Sequence, residues 1–474
     1  MKNNLGKLQI FSITNEDASK KKRIDVEYYQ PFFEDVVKKV AGSKYELQKL
    51  EDVTLLISNG RTPSKDMYDE DNDQAGSVPI IKAGTASGRF VDLEKLEYAK
   101  ADFSSGKKAQ KGDIFVLSAA HQASYVGKNV SLLDVEPEQD TFFVGELICI
   151  RANQEKVLPE YLFGFLSSEV GYLLLNREKR GQTSHIYPED VKTIPLPIPS
   201  LKDQQKIVSI LSKAYAEKKQ KEAEIKMILA KIDSFVLGEL EIEIPESRGK
   251  MVYSVQSDLL LGGRLDAEYY NPFYNLFYEK IATGKYQLVK IADIATDIFQ
   301  GVGKKETENP EFTLLKVKNI KKNNEIDFED TEFVESVPEN KILQKGDILS
   351  PFIGEAVRQC KFSVFYNDER KFTVDNNTGV IRIDSEKASS EYIAYTLNSE
   401  IGNIQLKNLI GGGGVPFLGS ENAKNIKIPL PPISIQQKIV DRIKEQHNKA
   451  RNLRQEAETV IAEAQKQTAE MIFA

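Results

Sequence analysis

The sequence is poor in the residues that build metal and redox centres. Its 474 residues include two cysteines and three histidines. Cys149 and Cys360 lie far apart without CxxC spacing, and they read as two buried, reduced thiols. His121, His185 and His447 form no HExxH and no paired-His spacing, so no zinc or iron signature is present. Long apolar runs are also missing, and none approaches the roughly 18 residues needed to span a bilayer. The start, MKNNLGKLQIFSITNED, has no apolar signal core and no small-residue cleavage site. A cytoplasmic protein without membrane contact is the expectation. Positive charge is not in excess either. The formal net charge is −7, which argues against a generic nucleic-acid coat held by bulk positive charge. It leaves room for a protein that concentrates lysines and arginines on one face.

The chain does contain itself twice. RIDVEYYQPFFEDVVKKV (23–40) matches RLDAEYYNPFYNLFYEKI (264–281), and YELQKLEDVTLLISNG (45–60) matches YQLVKIADIATDIFQG (286–301). KGDIFVLS (111–118) matches KGDILSPF (345–352), and DQQKIV (203–208) matches IQQKIV (435–440). Four blocks in one order identify a tandem duplication of a large unit, not a solenoid of short repeats. Each unit opens with aromatics: Tyr28, Tyr29, Phe32 and Phe33, then Tyr269, Tyr270, Phe273 and Tyr274. Tyr28, Tyr29, Tyr269 and Tyr270 are read as core and not as base-stacking platforms. Short β-branched and aromatic runs follow, such as SVPIIKAG, DIFVLSAA, TFFVGELICIRA, FTLLKVKNI, DILSPFIG and TGVIRID, bounded by Gly, Asp or Asn. Helical stretches are expected at 159–177 and 390–409. A glycine-containing loop comes next, GQTSHIYPED or GGGGVPFLGSEN, and then a Pro-rich bridge.

Beyond each bridge the composition changes. Residues 203–237 and 435–473 lack Pro and Gly and are rich in Gln, Glu, Lys and Ala, which favour helix. Ile207, Leu211, Ala214, Ile225, Leu229 and Ile232 recur at three and four, as do Ile439, Ile443, Leu453, Val460 and Ile461. The spacing predicts two long amphipathic helices with one apolar seam each. Asp203 is the expected N-cap of the first. So narrow a stripe needs a partner, and the two helices are expected to pack on each other. His447, mid-helix, reads as a solvated or seam residue. The expected boundaries are a first domain at 1–202, helix at 203–245, a second domain at 246–434 and helix at 435–474.

These features resemble the specificity subunit of type I restriction–modification systems across nearly the whole chain. The resemblance rests on SNGRTPSKD (58–66), VPIIKAG (78–84), KGDIFVLSAA, KGDILSPFIG and the two bridges with Gln204/Gln205 and Gln436/Gln437. It implies an α+β protein with two tandem mixed α/β target-recognition domains separated by two long helices. Those helices would form an antiparallel coiled coil with pseudo-twofold symmetry. It implies a non-catalytic subunit, each domain reading one half of a bipartite double-stranded DNA target. The partners implied are two methyltransferase subunits and restriction/translocase subunits, with S-adenosylmethionine and ATP used there and no cofactor on this chain. Two alternatives stay open at this point: a specificity subunit of a fused methyltransferase–nuclease system, and a helical protein-binding adaptor that reads no DNA.

The residues agree with a non-enzymatic chain. NPF at 271–273 lacks the second proline of an adenine-methyltransferase turn and is read as packing. GGGGVPFLG lacks the lysine and the strand–loop–helix context of a phosphate loop, and GVGKKE is too short and has no helix start. For DNA, base edges call for Arg, Lys, Asn or Gln on loops, and phosphates for Lys, Arg, Ser or Thr. The candidates in the first unit are Arg61, Thr62, Ser64 and Lys65, then His121, Gln122 and Ser124, then Gln182, Thr183, Ser184 and His185. In the second they are Gln300, Lys304 and Lys305, then Arg358, Gln359 and Lys361, with Gly412 and Gly413 allowing close backbone approach. At least half of them are expected on one face of their domain.

Overall fold

A computed structural model describes residues 11–21, 23–69, 76–100, 107–120, 122–181, 184–246, 252–256, 264–303, 311–322, 324–367, 369–411 and 414–473. The chain divides into two compact units, 1–220 with 456–474, and 221–455. Each unit takes part of both long helices.

In the first unit the β-branched runs form an antiparallel four-stranded sheet. Its strands are β1 (Thr54–Asn59), β2 (Asp113–Leu117), β3 (Val130–Leu132) and β4 (Leu147–Ala152), in the order β1-β4-β2-β3. A second sheet, containing Val78–Ile81 and Phe142–Phe143, shares the core of Phe115, Phe143 and Cys149. TFFVGELICIRA thus supplies strands to both sheets, broken at Val144–Glu146. Behind β2, β3 and β4 packs α1 (Pro159–Leu166), and α2 (Glu169–Arg177) packs on α1.

The second unit repeats this plan. Strands β5 (Ala295–Gln300), β6 (Ile348–Pro351), β7 (Ser363–Val364) and β8 (Thr378–Ile383) pair antiparallel in the order β5-β8-β6-β7. They are followed by α3 (Ser390–Asn398) and α4 (Glu400–Leu409). The single helical stretches expected at 159–177 and 390–409 are therefore each two helices. Ser168 ends the first stretch by capping α2, accepting from the Gly171 amide at 3.1 Å. The turn is so tight that a Cβ on Gly171 would lie 2.1 Å from the Phe165 carbonyl, and one on Gly402 2.0 Å from that of Leu397.

The KGD motif proves to be framework. Gly112 and Gly346 sit at φ of +92° and +91°, a region closed to most residues with a Cβ. The following aspartates are buried. Asp113 accepts from Arg151 Nε and Nη2 at 2.7 and 2.8 Å, and Asp347 from the same two nitrogens of Arg382 at 2.8 and 2.8 Å. Each also accepts a backbone amide, from Gln110 or Gln344.

The QQKIV phrase has an equally local meaning. Gln204 and Gln436 are fully buried, whereas their neighbours Gln205 and Gln437 are exposed. The Gln204 amide accepts from the Leu158 amide at 2.8 Å and donates to the Lys156 and Pro199 carbonyls. Gln436 accepts from Ser389 and donates to Pro431, both at 2.8 Å. Each ties the bridge to the start of the helix pair. The bridges themselves are strands: Pro195–Ile198 pairs with Glu46–Lys49, and Lys427–Pro429 with Leu288–Lys290.

The long helices run Leu201–Leu240 and Ile433–Phe473. At 40 residues the first is about 60 Å long. It starts earlier than expected: Ser200 Oγ accepts from the Asp203 amide at 3.2 Å, so Ser200 is the N-cap and Asp203 the third residue of the first turn. In the second unit Glu224 pairs with Lys449 at 3.0 Å and Glu239 with Lys438 at 2.9 Å. The reversed order makes the pairing there antiparallel, as expected. Such exposed pairs add little stability; Ile225, Ile228 and Ala450 form the apolar contact. In the first unit Ile207, Leu211 and Ala214 share a core with Ala464 and Ile472. The final helix buries Ile443, Ala450, Ala457 and Ala464, a seven-residue spacing typical of a coiled-coil seam. The alanines escape a search for large apolar residues, because a small side chain there permits close approach instead of filling space.

Three further expectations meet the structure here. Cys149 and Cys360 are buried free thiols, and burial pushes the Cys360 thiol up to about 11. Tyr28 and Tyr29 are core, but Tyr269 is 37% exposed and Tyr270 half-buried; the second pair therefore departs from the core expectation. NPF begins a helix: Asn271 Oδ1 accepts from the Phe273 amide at 3.0 Å and Pro272 occupies the first turn.

His447 is a seam residue, stacked on Tyr395 at 5.9 Å. Burial holds its imidazole below the usual value, with nearby Arg451 lowering it and Glu325 opposing. The folded state thus disfavours the proton that the unfolded chain accepts, so stability is lost as pH falls through about 6.5 and is constant above it. Thermal unfolding of wild type is expected to shift down on acidification more than that of His447→Gln. Parallel shifts of the two proteins would refute this.

Candidate nucleic-acid interface

Three loops meet at one end of the first unit's main sheet. The end of β1 places Asn59 beside the β2 exit, where its Nδ2 donates to Ser118 Oγ at 3.2 Å and to the Gly145 carbonyl at 2.7 Å. Ser118 donates through its amide and its hydroxyl to the Glu146 carbonyl at 2.8 and 2.9 Å. The Ile186 amide donates to the Ser118 carbonyl at 3.0 Å, which brings in the glycine loop. Thr62 Oγ1 donates to Glu146 Oε2 at 2.7 Å and accepts from the Gly145 amide at 2.9 Å. Arg61, Thr62, Gln122, Ser124, Ser184 and His185 are therefore brought to one end. Ser64 and Lys65 continue from Thr62 into a short turn over Lys65–Met67, with Lys65 exposed. His121, Gln182 and Thr183 lie outside the described residues.

The second unit uses the same backbone bonds beneath different side chains. Leu418 donates to the Phe352 carbonyl at 2.9 Å, as Ile186 does to Ser118. Val302 donates to the Val374 carbonyl at 2.9 Å, as Arg61 does to Phe143. Gly354 donates to the Pro416 carbonyl at 2.8 Å, so the loop after β6 rests on the glycine loop. Gln300 is half-buried and its Nε2 donates to the Asn376 carbonyl at 3.2 Å. Arg358 and Gln359 are exposed in the Glu355–Gln359 turn, and Arg358 pairs with Glu355 at 3.4 Å. Lys361 follows at the same end, since the next strand, β7, runs antiparallel to β6. Burial and the charges of Lys321 and Lys322 hold its ammonium below the usual lysine value. That cluster of like charge would favour a phosphate. Lys304, Lys305, Gly412 and Gly413 lie outside the described residues.

Sequence reasoning missed the apolar and aromatic members of these ends. Tyr125 and Tyr187 are each 47% exposed, and Val415 and Phe417 are 58% and 42% exposed. Tyr187 carries His185 stacked at 6.2 Å and the Arg180 guanidinium over its ring at 5.1 Å. Arg180 is in turn paired with Asp190. The signal was present: these aromatics sit in Gly- and Pro-containing loops, where a core residue is out of place. Among the described residues no group of three or more His, Cys, Asp or Glu could hold a metal, and no helix is long and apolar enough to cross a membrane.

Comparison with known proteins agrees with this architecture. The putative type I restriction enzyme MjaX specificity subunit of Methanocaldococcus jannaschii is 27% identical over 175 residues, 35% of this chain and 39% of that protein. The type I restriction enzyme StySPI specificity subunit of Salmonella potsdam is 24% identical over 377 residues, 78% of this chain and 75% of the relative. A solved chain from a study of complex assembly and conformational transition of the type I restriction–modification system covers 90% of this chain and 96% of its own. Its TM-score is 0.52 at 15% identity, a likeness of fold. The profile of the type I restriction modification DNA specificity domain matches residues 42–227 and again 284–461, one copy in each repeat. The chain belongs to the type I restriction–modification DNA specificity family.

Proposed function

We propose that this chain is the DNA-specificity subunit of a type I restriction–modification complex and has no catalytic activity of its own. Each unit reads one half of a bipartite double-stranded target through the loops gathered at the end of its main sheet. The long helices set the gap between half-sites and dock two methyltransferase subunits. Adenine methylation with S-adenosylmethionine, and ATP-driven cleavage, belong to the partner methyltransferase and restriction subunits.

One observation carries the reading. The two units keep the same framework bonds while presenting different loops, with His185 and Tyr187 in one and Val415 and Phe417 in the other. Different half-sites call for different base-edge contacts, so two readers of one bipartite target are expected to differ at these loops. The net charge of −7 fits a subunit that shares phosphate contact with its partners.

The test is single-molecule sequencing of methylated bases in the host genome with and without this gene. The expected result is loss of adenine methylation at a gapped, two-part motif. Unchanged methylation with intact, expressed methyltransferase genes would overturn the proposal. Binding of the assembled complex to that motif should also weaken steeply with salt, the log–log slope growing by about 0.9 for each phosphate contacted. Salt-independent binding would favour a protein adaptor.

A further inference from the structure

Each unit carries one arginine that joins its opening segment to the base of its glycine loop. In the first unit Arg23 is nearly fully buried. Its Nη2 donates to the Lys179 carbonyl at 2.8 Å and its Nη1 to the Glu178 carbonyl at 3.4 Å, just beyond the end of α2. Asp25 holds the guanidinium on two nitrogens at 3.0 and 2.6 Å, and the Tyr28 ring lies beneath it at 4.3 Å. In the second unit Arg264 Nη1 donates to the Asn408 and Leu409 carbonyls at 3.2 and 2.9 Å, and Nη2 to the Ile410 carbonyl at 2.8 Å. Asp266 holds it at 2.7 and 3.0 Å, and the Tyr269 ring lies at 4.5 Å. The motif is Arg-x-Asp in both copies, and both reach the C-terminal end of the second helix in the pair.

The last carbonyls of a helix lack intrahelical donors and carry the negative end of its dipole, so a guanidinium is their natural partner. The position matters more than the cap. One residue past the captured carbonyls the chain enters a two-residue ladder that closes the loop. Arg180 and His185 exchange amide bonds at 2.9 and 2.8 Å, and Gly411 and Phe417 do so at 2.9 and 2.9 Å. In the second unit the Arg264 guanidinium lies 3.8 Å from where a Cβ of Gly411 would be. The arginine thus sets the angle at which each loop leaves its helix.

We infer that Arg23 and Arg264 are positioning residues for half-site discrimination, each tuning the loop of its own unit without touching DNA. This rests on the proposed reading of a bipartite target. The experiment uses the full chain assembled with its methyltransferase partners, as wild type, Arg23→Ala, Arg264→Ala and Arg264→Lys. Competition binding compares the target with DNA scrambled in the first half-site, the second, or both. Amide exchange follows the two ladders.

Arg264→Ala is expected to reduce discrimination at one half-site by about tenfold, the loss of one well-placed base contact. Discrimination at the other half-site and affinity for fully scrambled DNA stay within about twofold, because phosphate contacts are untouched. The Gly411 and Phe417 amides exchange faster. Arg23→Ala does the same for the other half-site and for Arg180 and His185. Arg264→Lys, which keeps charge but not the planar fork, falls between wild type and alanine; should the alanine variant not fold, this comparison carries the test. Unchanged discrimination in a variant whose ladder has loosened overturns the inference. So does a loss shared by both half-sites and scrambled DNA alongside a falling unfolding temperature, which marks a merely structural role. If wild type itself fails to discriminate target from scrambled DNA, the DNA-reading proposal fails and this inference with it.

Discussion

Replacing Asp347 by Ala should destabilise the second unit by about 3–5 kcal/mol, the cost of removing one partner from a buried ion pair. The side chain of Asp347 has no exposure, and that of Arg382 has 17%. Two charge-assisted bonds and the Gln344 amide converge on the carboxylate. Without it the Arg382 guanidinium keeps, among the described residues, one hydrogen bond, to the Ile342 carbonyl at 3.0 Å. It is then left charged on β8. For a unit of this size each kcal/mol is worth about 2–4 °C, so the unfolding midpoint should fall by roughly 10 °C. The double replacement Asp347→Leu with Arg382→Leu should recover much of the loss, since an apolar pair of matched volume carries no uncompensated charge. Calorimetry of the single and double variants measures both. A loss below about 1 kcal/mol for Asp347→Ala would show that the pair is solvated in practice. Asp113 and Arg151 offer the same experiment in the first unit, with slightly more exposure on the arginine, 23%.

The second large effect separates two adjacent glutamines. Gln436→Leu should cost about 3 kcal/mol, because it strands the part-buried Ser389 amide and the buried Pro431 carbonyl at roughly 1–3 kcal/mol each. Gln437→Leu, one residue on, should stay within about 0.5 kcal/mol. Gln437 is exposed and donates only to Asp441 in the next turn, at 2.8 Å. Chemical denaturation of the two variants decides it. Equal losses would mean that the bridge is not held by the Gln436 amide. The pair Gln204 and Gln205 supplies a replicate, with three bonds at the buried member.

Much of this protein was legible from its residues because much of it is local or repeated. The duplication, the strand runs, the helix pairs and the two long helices each follow from composition and period within a few turns of chain. That the two long helices pair followed from the need of a narrow apolar stripe for a partner; that they run antiparallel was implied by the family resemblance. The errors were also local in origin. Ser168 and Ser399 divide helices that periodicity joined, and Ser200 takes the N-cap one position before Leu201, where the proline bridge ends.

Tertiary structure alone decided which residues meet at the loop end of each unit. Asn59 and Ser118 are 59 residues apart, and Arg23 and Lys179 are 156 apart; no period links them. The sequence by itself determined that two related domains carry two long helices, because hydrophobic spacing and capping act over a few residues. It did not determine that Arg-x-Asp anchors each glycine loop, or that Tyr269 and Phe417 are exposed. Those outcomes depend on hydrogen bonds and burial between distant segments, which exist only once the sheet has brought its ends together.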